Sequence, residues 1–193
     1  MMADNELLTL RVQDFLDRLA SEVPTPGGGS VAALVAALAA GLGRMSCAFT
    51  VGRPKFAAVE PQVRDIALRL ERADHMLRRL INEDAEAYAE LSAAFKLDKA
   101  SPQRGPRITQ AAGVAGGVPF QTAALSRQVH TDLQQLAKLA NPRLLSDVEA
   151  GLHLAHAAFQ AAVANVKINL PYMQPDQRAR MEAEIAKLTE PGN

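Results

Sequence analysis

Pro24-Thr25-Pro26-Gly27-Gly28-Gly29-Ser30-Val31-Ala32-Ala33-Leu34-Val35-Ala36-Ala37-Leu38-Ala39-Ala40-Gly41-Leu42 is the stretch on which the fold turns. Its opening, Pro24 to Ser30, forbids regular structure, because two prolines fix φ and three glycines release it. An Ala- and Leu-rich helix from about Ser30 follows directly. The apolar run from Val31 to Leu42 is soon interrupted by Arg44, whereas a membrane span needs about 20 apolar residues. It reads as the buried core helix of a water-surrounded bundle, with a glycine turn feeding its N-terminus.

Working outward, the residues before the turn predict a first helix near Glu6 to Ala20. Leu7, Leu8, Val12, Phe15, Leu16 and Leu19 share one stripe of it at spacings of three and four. After the break at Gly52-Arg53-Pro54, a stripe of Val63, Ile66, Leu70, Ala73, Leu77, Leu80, Ile81, Tyr88, Leu91 and Phe95 runs through about 38 residues, as one helix or two. From Lys96 to Gly117 the chain is polar and rich in Pro, Gly and Gln, and Val118-Pro119 opens a further helix through about Leu139. Asn141-Pro142 and Ser146-x-x-Glu149 are competing starts for a helix to about Leu170. A short charged helix from about Asp176 to Leu188 follows. Alternating β patterns are almost absent, so the expected class is all-α: a multihelical bundle of one domain over residues 1–193, without internal repeats.

Composition narrows the function. Lys+Arg and Asp+Glu balance at 21 each, and six Phe with two Tyr are too few for base-stacking platforms, so nucleic acid is not expected as a partner. A lone Cys47 allows neither a disulfide framework nor a Cys-rich zinc site, which suits a reducing compartment and makes cytoplasm the expected location. Asp4 and Glu6 stand where a secretory leader would carry basic residues, so no signal peptide is expected, and no membrane association. His153 and His156 are three apart without an obvious third ligand, and Cys47 has no adjacent base; neither a metal site nor a hydrolase triad is supported.

Three constellations could carry chemistry. Asp84 lies on the stripe Leu77, Ile81, Asp84, Tyr88, Leu91, where a core residue belongs. An inward carboxylate is hydrogen-bonded, paired, or raised in pKa, and the last suits a general acid or base; a salt-bridged Asp at a break in the pattern is the plainer alternative. Gly27 to Ser30 could aim N–H groups at an anion, or could be a tight connector with Ser30 as helix cap. Asp147, Gly151, Leu154, Ala158, Ala162, Asn165 and Asn169 share a helix face. Asn165 and Asn169 at its end could hydrogen-bond a heterocycle, or simply satisfy backbone groups near the helix end.

Pro24 to Ala33, followed by Met45 and Phe49-Thr50-Val51-Gly52-Arg53-Pro54-Lys55-Phe56, resembles the signature of the formiminotransferase-cyclodeaminase / methenyltetrahydrofolate cyclohydrolase family. Glu83-Asp84-Ala85-Glu86-Ala87-Tyr88, Val118-Pro119, Ser146-Asp147 and Asn165-Val166-Lys167-Ile168-Asn169 resemble its later motifs, in family order. Two features depart from the pattern: Pro54 replaces a usual basic residue, and the Lys96 to Gly117 section is shorter by roughly one helical turn. The resemblance implies an all-α, metal-free, cofactor-free and usually homodimeric protein of folate one-carbon chemistry. The implied reaction hydrolyses 5,10-methenyltetrahydrofolate to 10-formyltetrahydrofolate. Cyclodeamination of 5-formiminotetrahydrofolate with release of ammonia is the alternative reaction, and a non-catalytic folate-binding scaffold the alternative class. Asp84 would then be the carboxylate that stabilises a cation and takes a proton. Lys55 would meet the substrate carboxylate or polarise the departing oxygen. Pro26, Gly27, Gly28, Gly29 and Ser30 would hold an anionic or carbonyl part of the folate, and Asp147, Asn165 and Asn169 the pterin.

Overall fold

The architecture comes from a computed structural model that describes residues 7–190. Among them are six α-helices and no strand: α1 (Val12–Leu19), α2 (Gly28–Ala48), α3 (Glu60–Phe95), α4 (Arg104–Leu136), α5 (Leu145–Lys167) and α6 (Pro175–Thr189). Short 3-10 turns lie at Leu7–Thr9, Pro54–Phe56, Pro142–Leu144 and Leu170–Tyr172. The all-α expectation holds.

Helices α2 to α5 form a four-membered bundle in which α2 touches α3 and α5, α4 touches the same two, and α2 meets α4 across the middle. Contacts along α2 fix the directions. Ser30 bonds Asp84 near one end, whereas a Cβ at Gly43 would meet Leu70 and Leu133 near the other, so α3 runs antiparallel to α2. By the same reasoning α5 is antiparallel, because Gly28 faces Asn165 while Gly151 lies against the carbonyl of Ala39. The α2 surface turned to its neighbours is almost all small: Ala32, Ala33, Ala36, Ala39 and Ala40 are no more than 1 % exposed. Small residues let helix axes approach, and Leu133 fills the space that Gly43 and Gly151 leave between four helices. Although α2 is long and apolar enough to cross a membrane, half of its most apolar window is buried in the bundle.

Charge inside the bundle is neutralised locally. Asp74 of α3, 1 % exposed, is paired with Arg44 of α2 and with Arg78 at 2.8 Å. Asp132 of α4, equally buried, accepts from Arg69 at 2.7 Å and Gln128 at 3.2 Å. An unpaired charge in such a place would cost several kcal/mol.

Several sequence expectations need correction. The predicted start of the first helix at Glu6 lies outside the described residues; within them, a 3-10 turn at Leu7–Thr9 precedes an eight-residue α1. Of its stripe, Leu7 and Phe15 are buried, but Val12 and Leu16 are 78 % and 56 % exposed. Periodicity identified the apolar face, but the other described residues leave Val12 and Leu16 uncovered. The long α3 is one unbroken helix of 36 residues. Helix α4 begins at Arg104, so Pro119 lies within it instead of opening it. Asn141 wins the competition before α5: its side chain accepts from the Arg143 amide at 3.1 Å and caps the Pro142–Leu144 turn. Ser146 lies inside α5, which stops at Lys167 instead of reaching Leu170.

Candidate functional site

The start of α2 is built around a carboxylate. Gly27 is its N-cap, so Gly28, Gly29 and Ser30 occupy the first helical positions and Ser30 is not the cap. The amides of that first turn have no carbonyl behind them in the helix. Ser30 donates its own to Asp84 Oδ2 at 2.8 Å. Its Oγ lies 3.0 Å from the same oxygen and 2.9 Å from the Ile81 carbonyl. A hydroxyl has one proton for those two acceptors, so the pair accommodates Asp84 ionised or protonated. The anion held at the helix start is the protein's own side chain, and Ser30, fully buried, is engaged with it instead of with solvent.

The glycines make this possible. A Cβ on Gly29 would stand 1.9 Å from Asp84 Oδ1, and one on Gly28 would stand 2.9 Å from Asn165 Nδ2. Two site side chains thus occupy the volume of two missing methyl groups.

Gly27, Gly28, Gly29, Asp84, Asn165 and Asn169 line a single cleft of about 380 Å³, within the range of small-ligand sites. No lysine, arginine or histidine is among its described lining residues. Asp84 therefore differs from Asp74 and Asp132 in having no cation. Burial raises its carboxyl above the ordinary aspartate value, against the two Ser30 hydrogen bonds, which lower it. Asn165 Nδ2 donates to Ala161 O at 2.8 Å, and Asn169 Nδ2 to Asn165 O at 2.9 Å and to Ala115 O at 3.1 Å.

Both tyrosines of the chain, Tyr88 and Tyr172, border the cleft with Phe95, whose ring meets Tyr172 edge-on at 5.0 Å. These aromatics were missed as site residues because Tyr88 and Phe95 fit the core stripe; their partial exposure shows that the stripe runs out of core and into the cleft.

Two predicted site residues lie elsewhere. Lys55 is in the turn after the far end of α2, and 21 helical residues put it about 30 Å from Gly28. Its ammonium sits 5.6 Å above the Phe56 ring. Asp147 is in the first turn of α5, about 27 Å along that helix from Asn165. Pro26, joined to Thr25 by a cis peptide bond, adjoins the cleft in sequence without being among its lining residues. Among the described residues no group of three His, Cys, Asp or Glu is placed to hold a metal ion.

Residues 11–187 match the family model described as formiminotransferase-cyclodeaminase. The chain is 31 % identical over 191 residues to methenyltetrahydrofolate cyclohydrolase of Methylorubrum extorquens, covering 97 % of this chain and 89 % of that protein. It is 33 % identical over 177 residues to formimidoyltransferase-cyclodeaminase of Rattus norvegicus, where 90 % of this chain spans only 33 % of the relative. Its fold superposes with a TM-score of 0.86 on the crystal structure of formiminotetrahydrofolate cyclodeaminase from Thermotoga maritima, at 30 % identity over 94 % of this chain and 89 % of that one.

Proposed function

This chain belongs to the formiminotransferase-cyclodeaminase family and is a folate one-carbon enzyme, and we propose that its reaction is the hydrolysis of 5,10-methenyltetrahydrofolate to 10-formyltetrahydrofolate. The observation that carries the choice is Asp84, a largely buried carboxylate in a cleft without a cation. Each of the other two buried aspartates described above has an arginine beside it. A substrate whose reactive carbon is an amidinium-like cation supplies at Asp84 the charge that arginine supplies at Asp74 and Asp132. The cyclohydrolase relative also matches this chain nearly end to end.

The chemistry follows. Water adds to the cationic carbon between N5 and N10 while the Asp84 carboxylate accepts a proton from it. The adduct breaks its bond to N5, which takes up a proton, and the carbon stays on N10 as the formyl group; one proton is released overall. A carboxylate fixed by two bonds from Ser30 reorganises little as charge moves. Gly28 and Gly29 offer the first-turn amides to a carbonyl or anionic part of the substrate, and Asn165 and Asn169 the polar edge for the pterin. Lys55 and Asp147 of the same chain are too distant to take part, and the steps need neither of them. No resident metal or cofactor is invoked.

We place the protein, as a single domain, in the cytoplasm and away from membranes and nucleic acid. We also expect a homodimer: Leu38, Met45 and Phe49 form an exposed, uncharged row along α2, suited to self-pairing about a two-fold axis. Light scattering that gives a dimer for wild type and a monomer for Leu38→Glu is the expected result; a wild-type monomer rejects it.

The deciding assay follows the absorbance of 5,10-methenyltetrahydrofolate with wild type and Asp84→Asn, against spontaneous hydrolysis. Acceleration by wild type alone is expected. No acceleration, together with ammonia release from 5-formiminotetrahydrofolate, would transfer the assignment to cyclodeamination; binding without either turnover would leave a scaffold.

A further inference from the structure

A proline stands in the middle of α4. Any other residue at position 119 would donate its N–H to the carbonyl of Ala115, whereas proline cannot, and its ring presses that carbonyl outward. A carbonyl freed in a buried turn needs another donor. It receives one from Asn169 Nδ2, at 3.1 Å, from beyond the end of α5.

The consequence for Asn169 is strict. Its amide has two N–H donors, and both are used, one on Ala115 O and one on Asn165 O at 2.9 Å. Flipping the amide would set its oxygen against two carbonyl oxygens, so the orientation is determined by chemistry alone. Among the described residues Oδ1 is the part of the amide left without a partner, on a residue that lines the cleft. Gly116 completes the arrangement: a Cβ there would lie 2.0 Å from Met173 Cε and 3.5 Å from Asn169 Cβ, so its absence keeps the approach to α4 open.

We propose that Pro119 is a positioning residue: by withholding an N–H it reserves the Ala115 carbonyl for Asn169 and thereby locks Asn169 as a hydrogen-bond acceptor toward the ligand. The ligand group so recognised is an N–H donor on the edge of a heterocycle, which rests on the folate reading above. In the absence of Pro119, the helix would close its own hydrogen bond and Asn169 would be held through the Asn165 carbonyl alone, with one of its two anchors lost.

The test compares Pro119→Ala with Pro119→Val, which keeps most of the ring's volume; both restore the N–H. Neither should lower the thermal midpoint, since a helix interior gains from losing proline. KM for 5,10-methenyltetrahydrofolate should rise roughly three- to tenfold in both, the range for loss of one neutral hydrogen bond, with kcat changed less than about twofold. In an Asn169→Ala background the same substitutions should leave KM where it was. Independently of turnover, the Asn169 side-chain amide protons in 15N NMR should exchange slowly in wild type and fast in both variants. An unchanged KM, a penalty that persists without Asn169, or unprotected Asn169 protons in wild type each overturn the proposal. An inactive wild type with protected protons rejects the folate reading while leaving the role of Pro119 standing.

Discussion

Gly29→Ala adds a single methyl group and should disable the enzyme. The new Cβ would sit 1.9 Å from Asp84 Oδ1 and 2.5 Å from its Cγ, where ordinary contact begins at 3.4 Å, so the carboxyl must retreat by about 1.5 Å. Misplacing a reacting group by about 1 Å costs on the order of 10²-fold, so kcat should fall by roughly 10²- to 10³-fold. The fold should suffer less. Losing the bond from the Ser30 amide to a charged group costs about 1.5–3 kcal/mol, and replacing glycine by alanine in a helix returns about 1 kcal/mol. The net of roughly 0.5–2 kcal/mol corresponds to a melting temperature lower by about 1–8 °C. Turnover of 5,10-methenyltetrahydrofolate and thermal unfolding are measured for Gly29→Ala, Asp84→Ala and the pair. Once Asp84 is truncated the methyl has room, so in that background Gly29→Ala should be neutral or stabilising. Activity within threefold of wild type, or an undiminished stability penalty in the Asp84→Ala background, would refute the packing argument.

Four further outcomes are expected. Because burial raises the Asp84 carboxyl above the ordinary value of 3.8, the acid limb of kcat/KM should lie above that pH and be missing from any residual activity of Asp84→Asn. The stability contributed by neutral Asp84 is complete below its unfolded pKa and declines as pH rises through the folded one, so unfolding curves across pH should show Asp84→Asn gaining on wild type toward neutrality. Gly41→Ala, on the same helix as Gly29 but with nothing within 4 Å of the added carbon, should stabilise by about 0.5–1 kcal/mol in chemical denaturation without altering kcat. Cys47 is buried, and burial with help from nearby Asp132 pushes its thiol up to about 11, so an aromatic disulfide reagent at pH 8 should label it only after unfolding.

How much of this was legible in the sequence depended on whether a signal was local. The α3 stripe and the Pro-Gly break are local, and they led to Asp84, because a carboxylate in phase with an apolar stripe is visible in one dimension. The purpose of Gly28 and Gly29 is not: nothing near them in sequence says that Asn165 and Asp84 will occupy their missing side chains. Pro119 misled for a related reason. A proline suggests a helix start, and the reason it stands inside α4 is a donor that arrives from Asn169, across the bundle. Lys55 and Asp147 lie in motifs of the same family, yet motif order carries no information about which end of the bundle each one reaches: Lys55 follows the far end of α2, and Asp147 opens α5. In α1, Val12 and Leu16 showed that periodicity reports an apolar face without saying whether anything covers it.

The antiparallel seating of α5 on α2 also has a consequence in time. Asn169 follows Ala48, the last residue of α2, by 121 positions, which at 5–20 residues per second is roughly 6–24 s of synthesis. Throughout that interval α2, with a mean hydropathy of 1.7 over its most apolar window, has been made and lacks the neighbour that will close the bundle. The nascent chain therefore carries a greasy, unsealed helix until α5 is complete, and no catalytic pocket can precede that moment. Enzyme activity becomes a readout of finished assembly: a ribosome stalled before position 165 holds a product that is both inert and prone to capture by chaperones.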